Sequence, residues 1–266
     1  KLLAGIMGHN LCLDLFGPPS DDEAAAGVVV HGEAGVAHYE FEPSRHGLIS
    51  RCMLPAARIA FERRITLDRR RARIIETVES LSPLDRPIAW TQHVTLGPPF
   101  LEWGETEFRA SATWSTDIGE VNTFDWPDYL GRNLALYTSE ESSAGYTTHL
   151  MDPKQEQAYF LAWSPSAKVV TGYAWKRADF PWLGIWEENH VRTHTPWNGH
   201  TQTRGMEFGV SPFPEPRRRM IERASLFGTP AYKWLGAKRK LTAEYYAGIT
   251  PADAIPDTLT AFENLL

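Results

Sequence analysis

The sequence has little cysteine, no long hydrophobic run and no excess of positive charge, and each shortage excludes a class of protein. Two cysteines in 266 residues are too few for a scaffold held together by disulfides. No apolar run approaches the roughly 18 residues that a membrane-spanning helix requires. The net charge is -6, whereas a surface that binds nucleic acid needs a positive field. We therefore expect neither a membrane nor a nucleic-acid partner.

Aromatic residues, by contrast, are frequent, with ten Trp, nine Tyr and twelve Phe. Such side chains suit β-sheets, and they also stack on the faces of sugars. Packing within strands accounts for most of them. Trp126, Trp182, Trp186 and Trp197 are the candidates for contact with a ligand.

The pattern along the chain is that of many short strands. Apolar and polar residues alternate from Ile59 to Leu67 and return over 73–79, which predicts a hairpin with one wet face and its turn at 68–71. Similar patterns predict further strands over 11–15, 28–30, 90–96, 158–163, 169–175 and 241–249. The region 101–150 is polar and aromatic, and 124–129 is typical of a long loop. Only Pro214–Ala224 suggests a short helix. There is no repeat, heptad or βαβ alternation, so we predict one all-β domain over 1–266.

Polar side chains follow or end several of these predicted strands. His93 lies near the end of a strand, before the turn residues Gly97-Pro98-Pro99. His31 precedes Gly32, and Glu207 lies between glycines at 205 and 209. A histidine in such a place can also be a buried residue that donates to a carbonyl.

Two histidines and one carboxylate suit either of two chemistries. One is general acid–base catalysis, in which a carboxylate takes a proton and an imidazolium gives one. The other is a metal site of two histidines and a carboxylate. The metal is disfavoured because His31 and His38 are seven positions apart, which puts them on opposite faces of a strand. His190 and His194 have helical spacing, but Pro196 argues against a helix there. We therefore expect no metal and no other cofactor.

Four short motifs occur in the order found in a known family. They are Val30-His31-Gly32, Gln92-His93-Val94-Thr95-Leu96-Gly97, Leu183-Gly184-Ile185-Trp186 and Gly205-Met206-Glu207. Over about residues 8–250 the chain resembles aldose 1-epimerases and the wider galactose mutarotase-like group. The resemblance implies a large antiparallel β-sandwich (the galactose mutarotase-like supersandwich) with few short helices. It also implies a monosaccharide or sugar derivative bound in a groove on one concave sheet.

The same resemblance assigns roles within the site. His93 matches the acid that protonates the ring oxygen, and Glu207 matches the base that removes the proton of the anomeric hydroxyl. His31 matches the histidine that holds the substrate. We place Trp186, Arg204 and Asp125 among the substrate-binding residues. The position of the family's sugar-binding aspartate stays open, with Asp128 and Asp179 as further candidates.

The chain departs from the family in two places. Strands that normally precede the stretch matching 8–14 are not part of this sequence, which begins at Lys1 rather than Met, and a polar loop over 188–204 replaces a shorter connection. We expect an aldose 1-epimerase-like isomerase in the cytoplasm. The alternatives are a non-catalytic carbohydrate-binding protein of the same fold and a lyase or hydrolase. A hydrolase usually needs two carboxylates, and the sequence offers one convincing candidate.

Overall fold

A computed structural model describes residues 8–138 and 142–266; the predicted domain also included 1–7 and 139–141, which lie outside the described residues. The strands in chain order are β1 Gly8–Asp14, β2 Glu40–Ser44, β3 Gly47–Leu54, β4 Ile59–Asp68, β5 Arg71–Ser80, β6 Arg86–Leu96, β7 Glu107–Ala110, β8 Ala112–Asp117, β9 Thr123–Asp125, β10 Asp128–Tyr129, β11 Arg132–Asn133, β12 Ser143–Met151, β13 Gln157–Ser164, β14 Val169–Lys176, β15 Trp182–Asn189, β16 Gln202–Gly209, β17 Ser225–Leu226, β18 Thr229–Pro230, β19 Lys233–Leu235 and β20 Lys240–Pro251. The helices are α1 Asp21–Ala25, α2 Arg217–Arg223 and α3 Leu259–Glu263, with a 3₁₀ turn at Glu33–Gly35.

Two large sheets make up the architecture. The first, here called the site sheet, has the order β1-β6-β16-β15-β12-β8-β9, with β19 also paired to β6. The second, here called the back sheet, has the order β2-β3-β4-β5-β20-β14-β13-β7. Within the described ranges, every pairing between these strands is antiparallel. The prediction of an all-β antiparallel sandwich with few short helices is confirmed.

The predicted hairpin is the pair β4 and β5. Ile59 faces Ser80 at its open end and Asp68 faces Arg71 at its closed end. Arg69 in the two-residue turn has a φ of 54°, the left-handed backbone that tight hairpin turns require. Ile74 and Val78 on β5 point inward and are buried, as the two-residue period of a half-buried strand requires.

The two sheets pack through a core that both of them build. Trp175 of the back sheet stacks on Phe208 of the site sheet, with ring centroids 4.2 Å apart. The fully buried carboxylate of Glu76 on β5 also joins the sheets. It accepts hydrogen bonds from Trp90 Nε1 at 2.8 Å and Gln92 Nε2 at 2.7 Å, both on β6. The inward face of β6 is therefore held by polar as well as apolar contacts.

The strand predicted at 28–30 is absent, and this prediction was wrong. Its backbone hydrogen bonds are local: Val28 N–H donates to the carbonyl of Glu23, and Gly32 N–H donates to that of Val29. Three β-branched residues favour a strand, but this segment forms turns and His31 has a φ of 64°. His31 therefore stands in a turn and not at a strand end.

The prediction of a long loop within 101–150 was also wrong in part. The segment 124–129 carries the short strands β9 and β10, and β8 and β12 complete one side of the site sheet. These strands escaped detection because β9 and β10 are very short, and β12 buries the successive polar residues Thr147, Thr148 and His149, which removes the hydrophobic alternation. Within the described residues, no helix is long and apolar enough to cross a membrane.

Candidate active site

Two adjacent strands of the site sheet bring the predicted acid and base together. In the register of β6 with β16, His93 lies directly opposite Glu207. Their neighbours Gln92 and Phe208 point inward, so both functional side chains project from the outer face of the sheet. A pairing shifted by one residue would turn one of them into the core. The alternation of the two strands therefore fixes the pair on one surface.

A cavity of about 430 Å³ lies over His93 and Glu207 on the outer face of the sheet. The site sheet supplies its floor, and the turn around His31 and the loop after β15 supply its walls. Its lining consists of Gly17, Pro18, Val30, His31, His93, Ile118, Ala144, Gly145, Tyr146, Trp186, Arg192, Trp197, Glu207 and Pro214. The volume is within the range of small-molecule sites.

The predicted acid and base are in direct contact. His93 Nε2 lies 2.9 Å from Glu207 Oε1, and both side chains are almost fully buried. The other ring nitrogen, Nδ1, lies 3.0 Å from the hydroxyl of Thr95. Because a hydroxyl can either donate or accept, Thr95 can hold the ring both as a neutral imidazole and as an imidazolium. The arrangement accommodates the gain and the loss of a proton on His93.

His31 enters the cavity from its turn and packs edge-on against His93, with ring centroids 5.6 Å apart. Its Nδ1 accepts the backbone N–H of Gly17 at 3.2 Å. Burial, and then the nearby His93, lower the pKa of His31 to about 3, so this imidazole is neutral at ordinary pH. With Nδ1 acting as the acceptor, the ring proton is on Nε2, which can donate to a ligand.

Two glycines on the outer face of the sheet make room for the site. A Cβ on Gly205 would lie 2.8 Å from Glu207 Oε1 and 3.3 Å from the Trp186 ring. A Cβ on Gly184 would lie 1.9 Å from the hydroxyl oxygen of Tyr146. Any larger residue at either place would displace the cavity's own side chains.

Tyr146 forms part of the cavity floor. Its hydroxyl donates to the carbonyl of Pro212 at 3.2 Å. Burial raises its pKa well above the usual value, and Glu207 adds to the shift. The phenol therefore remains protonated and is a fixed part of the floor.

The loop after β15 supplies an aromatic wall. Trp186 packs against His93 with ring centroids 5.8 Å apart and against Trp197 at 5.9 Å. The guanidinium carbon of Arg192 lies 5.6 Å from one Trp186 ring centroid and 5.0 Å from that of Trp197. This polar 188–204 segment, noted in the sequence as a departure from the family, thus builds one side of the cavity.

Two predicted substrate-binding residues lie elsewhere. Arg204 is fully buried on the inward face of β16, three positions from Glu207 and so on the opposite side. Its Nε donates to Glu187 Oε1 at 2.9 Å. Arg204 does not line the cavity around His93 and Glu207. Asp125 is exposed on the edge strand β9, and it does not line the cavity either. His31, His93, Glu207 and Trp186 do come together.

The sequence reasoning missed Arg192 as a site residue. It follows a strand in a loop of mixed polar composition, and no periodicity marks such a position. The candidate aspartates Asp128 and Asp179 are also absent from the cavity lining. Among the described residues, no cluster of three or more His, Cys, Asp or Glu side chains is arranged to hold a metal ion.

Comparison with solved structures finds similar folds at low sequence identity. A galactose mutarotase-like protein from Lactobacillus casei ATCC 334 matches with a TM-score of 0.64 at 14% identity, over 91% of this chain and 84% of its own. The Slr1438 protein from Synechocystis sp. PCC 6803 matches with 0.65 at 13% identity, over 92% and 78%. A galactose 1-epimerase from Lactobacillus acidophilus NCFM matches with 0.54 at 10% identity, over 83% and 69%.

Other matched structures are considerably longer, and this chain spans 63% of one and 38% of another. No protein-family model and no curated protein matches the sequence. At these identities the likeness concerns the fold. The chain has the galactose mutarotase-like β-sandwich fold that the sequence motifs predicted.

Proposed function

We propose that the protein interconverts the anomers of a sugar by opening and reclosing its ring, with Glu207 as the base and His93 as the acid. The observation that carries the proposal is the direct contact between the two groups, 2.9 Å from Nε2 to Oε1, inside a cavity that can accept a small molecule. The galactose 1-epimerase and the galactose mutarotase-like protein of similar fold support the same chemistry.

The reaction explains why acid and base should be neighbours. In a cyclic sugar the anomeric hydroxyl oxygen and the ring oxygen are bonded to the same carbon, so the two proton transfers take place roughly 2–3 Å apart. A glycosidase, by contrast, keeps its two carboxyl groups about 5–9.5 Å apart on either side of the bond. Within the described residues, Glu207 is the only carboxylate that lines the cavity. This favours ring opening over hydrolysis.

The proton and bond changes balance within this pair. Glu207 removes the proton of the anomeric hydroxyl, the carbonyl forms, and the bond from C1 to the ring oxygen breaks. His93 delivers a proton through Nε2 to that departing oxygen, while Nδ1 keeps its hydrogen bond to Thr95. Rotation about the C1–C2 bond presents the other face of the aldehyde. Closure then reverses both proton transfers and leaves the enzyme unchanged.

His31 has a binding role in this scheme. Its low pKa keeps it neutral beside an acid that must be charged, so it does not add a second positive charge that would oppose protonation of His93. Its Nε2–H is left to donate to a sugar oxygen. We expect His31→Asn to weaken binding more than it slows turnover.

The test is the rate of anomer interconversion, followed by polarimetry or by NMR exchange on a sugar that binds. Glu207→Gln keeps the size of the side chain but cannot take the proton, so we expect turnover to fall about a hundredfold or more with affinity within a few-fold. His93→Asn should behave similarly. The double substitution should fall little further, because acid and base act as a unit. The matched control is Glu222→Gln, an exposed carboxylate on α2 paired with Arg218.

Full activity in Glu207→Gln would refute the mechanism. The alternative function, a non-catalytic sugar-binding protein, would be supported if the unsubstituted chain bound sugars but interconverted none of them. Binding is measured independently through tryptophan fluorescence, since Trp186 and Trp197 line the cavity and aromatic rings stack on sugars.

A further inference from the structure

Arg192 is the only lysine or arginine that lines the cavity in the part of the chain that the structure describes. A buried carboxylate holds it in place. Glu188 Oε1 accepts the backbone N–H of Val191 at 3.1 Å and that of Arg192 at 2.8 Å. Its Oε2 forms an ion pair with Arg192 Nε at 3.0 Å, without the alignment of a hydrogen bond. Glu188 thus fixes the backbone of Arg192 by hydrogen bonds and holds its side chain by charge.

This clamp uses only one side of the guanidinium. Glu188 contacts Nε, and the described residues provide no hydrogen-bond partner for the two terminal nitrogens, Nη1 and Nη2. The side chain keeps 39% of its exposure. The end of a guanidinium that carries Nη1 and Nη2 is the fork that binds a carboxylate or a phosphate with two parallel hydrogen bonds.

A second unpaired donor stands beside this fork. Trp197 is 8% exposed, and its Nε1–H has no hydrogen-bond partner among the described residues. An indole N–H can only donate, and an unpaired buried donor is uncommon in native proteins because it costs free energy. The Arg192 guanidinium carbon lies 5.0 Å from the Trp197 ring centroid, so both donors belong to the same wall.

Among the described residues, Glu207 is the only carboxylate that lines the cavity, and it is in contact with His93. A ligand that displaces water from this wall must therefore supply acceptors for these donors, and an anionic group is the best match to a guanidinium fork with an added N–H. We propose that the site takes acidic monosaccharides, either uronates or sugar phosphates, and that Arg192 and Trp197 bind the anionic group.

The dimensions agree with a single sugar unit that spans both ends of the site. The Trp186 ring lies 5.8 Å from the His93 ring and 5.6 Å from the Arg192 guanidinium carbon, so the acid and the fork are at most about 11 Å apart. A pyranose about 5 Å across, with a hydrogen bond of about 3 Å at each end, does not exceed that limit. The proposal rests on the proposed function in that both place the sugar in this cavity.

The test compares acidic and neutral sugars by calorimetric or fluorescence titration. The probes are glucuronate, galacturonate and glucose 6-phosphate against glucose and galactose, at low and at high salt. We expect at least one acidic sugar to bind tenfold or more tightly than its neutral counterpart, with a preference that weakens as salt rises. The ratio of acidic to neutral affinity should fall at least tenfold in Arg192→Gln, which removes the fork and its charge. Arg192→Lys, which keeps the charge without the fork, should restore only part of that ratio.

Two further variants separate recognition from structure. Trp197→Phe keeps an aromatic ring without the N–H, and we expect it to lower the affinity for acidic sugars several-fold. Arg218→Gln makes the same change of residue at an exposed position on α2 and should leave the affinity ratio as it is. Uronates and phosphates are distinguished by which probe shows the larger loss in Arg192→Gln.

Equal affinity for acidic and neutral sugars would overturn the proposal, as would an equal loss of both in Arg192→Gln. These outcomes are separable from failure of the proposed function, because the titrations require no turnover. Selective binding of acidic sugars without anomer interconversion would refute the catalytic proposal alone. Interconversion of neutral sugars without any acidic preference would refute this one alone.

Discussion

Glu76 tests how far the site depends on the core beneath it. This fully buried carboxylate of β5 receives hydrogen bonds on both oxygens. Oε1 accepts from Arg63 Nε at 2.7 Å and from the Tyr245 hydroxyl at 2.8 Å. Oε2 accepts from Trp90 Nε1 and Gln92 Nε2. In Glu76→Gln, an amide N–H₂ replaces one of the two oxygens, so two donors lose their acceptor whichever way the amide points.

The expected cost is large. Breaking a buried ion pair by removing one partner typically costs about 3–5 kcal/mol. Arg63 retains 18% side-chain exposure, so water can take up part of its charge, and we discount the loss to about 2–4 kcal/mol. In a chain of this size that corresponds to a fall in Tm of about 5–10 °C. Part of the loss should disappear in the double variant with Arg63→Met, because the two changes share one interaction.

Urea unfolding and thermal melting measure the effect. The matched control is Glu79→Gln on the same strand, whose carboxylate is partly exposed and lies 2.9 Å from Lys240 Nζ. Such surface pairs contribute little, so we expect a change of about 0.5 kcal/mol or less. Equal losses in Glu76→Gln and Glu79→Gln would refute the reasoning, since burial and number of donors are what distinguish them.

Three further predictions concern the site and the pH dependence of stability. Gly205→Ala places a Cβ 2.8 Å from Glu207 Oε1, so turnover should fall at least tenfold. In the control Gly97→Ala the new Cβ meets only an ordinary contact at 3.5 Å, so turnover should stay near normal. Thr95→Val removes the hydroxyl at Nδ1 of His93 and should slow turnover by up to about tenfold, the worth of one hydrogen bond; an unchanged rate would count against this role. Burial lowers the pKa of His149 to about 3, so the unfolded chain binds its proton first, and stability is lost as pH falls from about 6.5 towards 3. Between pH 7 and pH 5 the loss should be about 2 kcal/mol, and His149→Gln should show less acid destabilisation in urea unfolding; equal pH dependence in both chains would contradict it.

The strands that could be predicted from the sequence are those with one solvent-exposed and one buried face. The β4 and β5 hairpin and β20 alternate cleanly, because one face packs on the core and the other meets water. By contrast β12 reads Ser-Ala-Gly-Tyr-Thr-Thr-His-Leu-Met, and its polar residues are buried between other polar groups. His149, for example, lies 2.8 Å from the Ser115 hydroxyl. Burial of hydrogen-bonded polar residues removes the hydrophobic signal on which such predictions rest.

The residues of the candidate site also differ in how far the sequence could predict them. His93 and Glu207 could be predicted because both lie on strands next to glycines, and the antiparallel register then brings them together. Arg204, expected among the substrate-binding residues, is close to Glu207 in sequence. A separation of three residues along a strand puts it on the inner face, where it pairs with Glu187. Arg192 could not be predicted, since its position depends on how a loop folds back onto Trp186.

The two faces of β6 and β16 thus have different tasks, and this bears on how their variants should behave. Gln92 faces inward and is held by Glu76, while the next residue, His93, faces outward against Glu207. A change at the inner face loosens the strand that carries His93, so stability and activity should fall together. A change at the outer face, such as Gly205→Ala, displaces the carboxylate without opening the core, so activity should fall while most of the stability remains. The same ratio of activity loss to stability loss at both faces would refute this division between them.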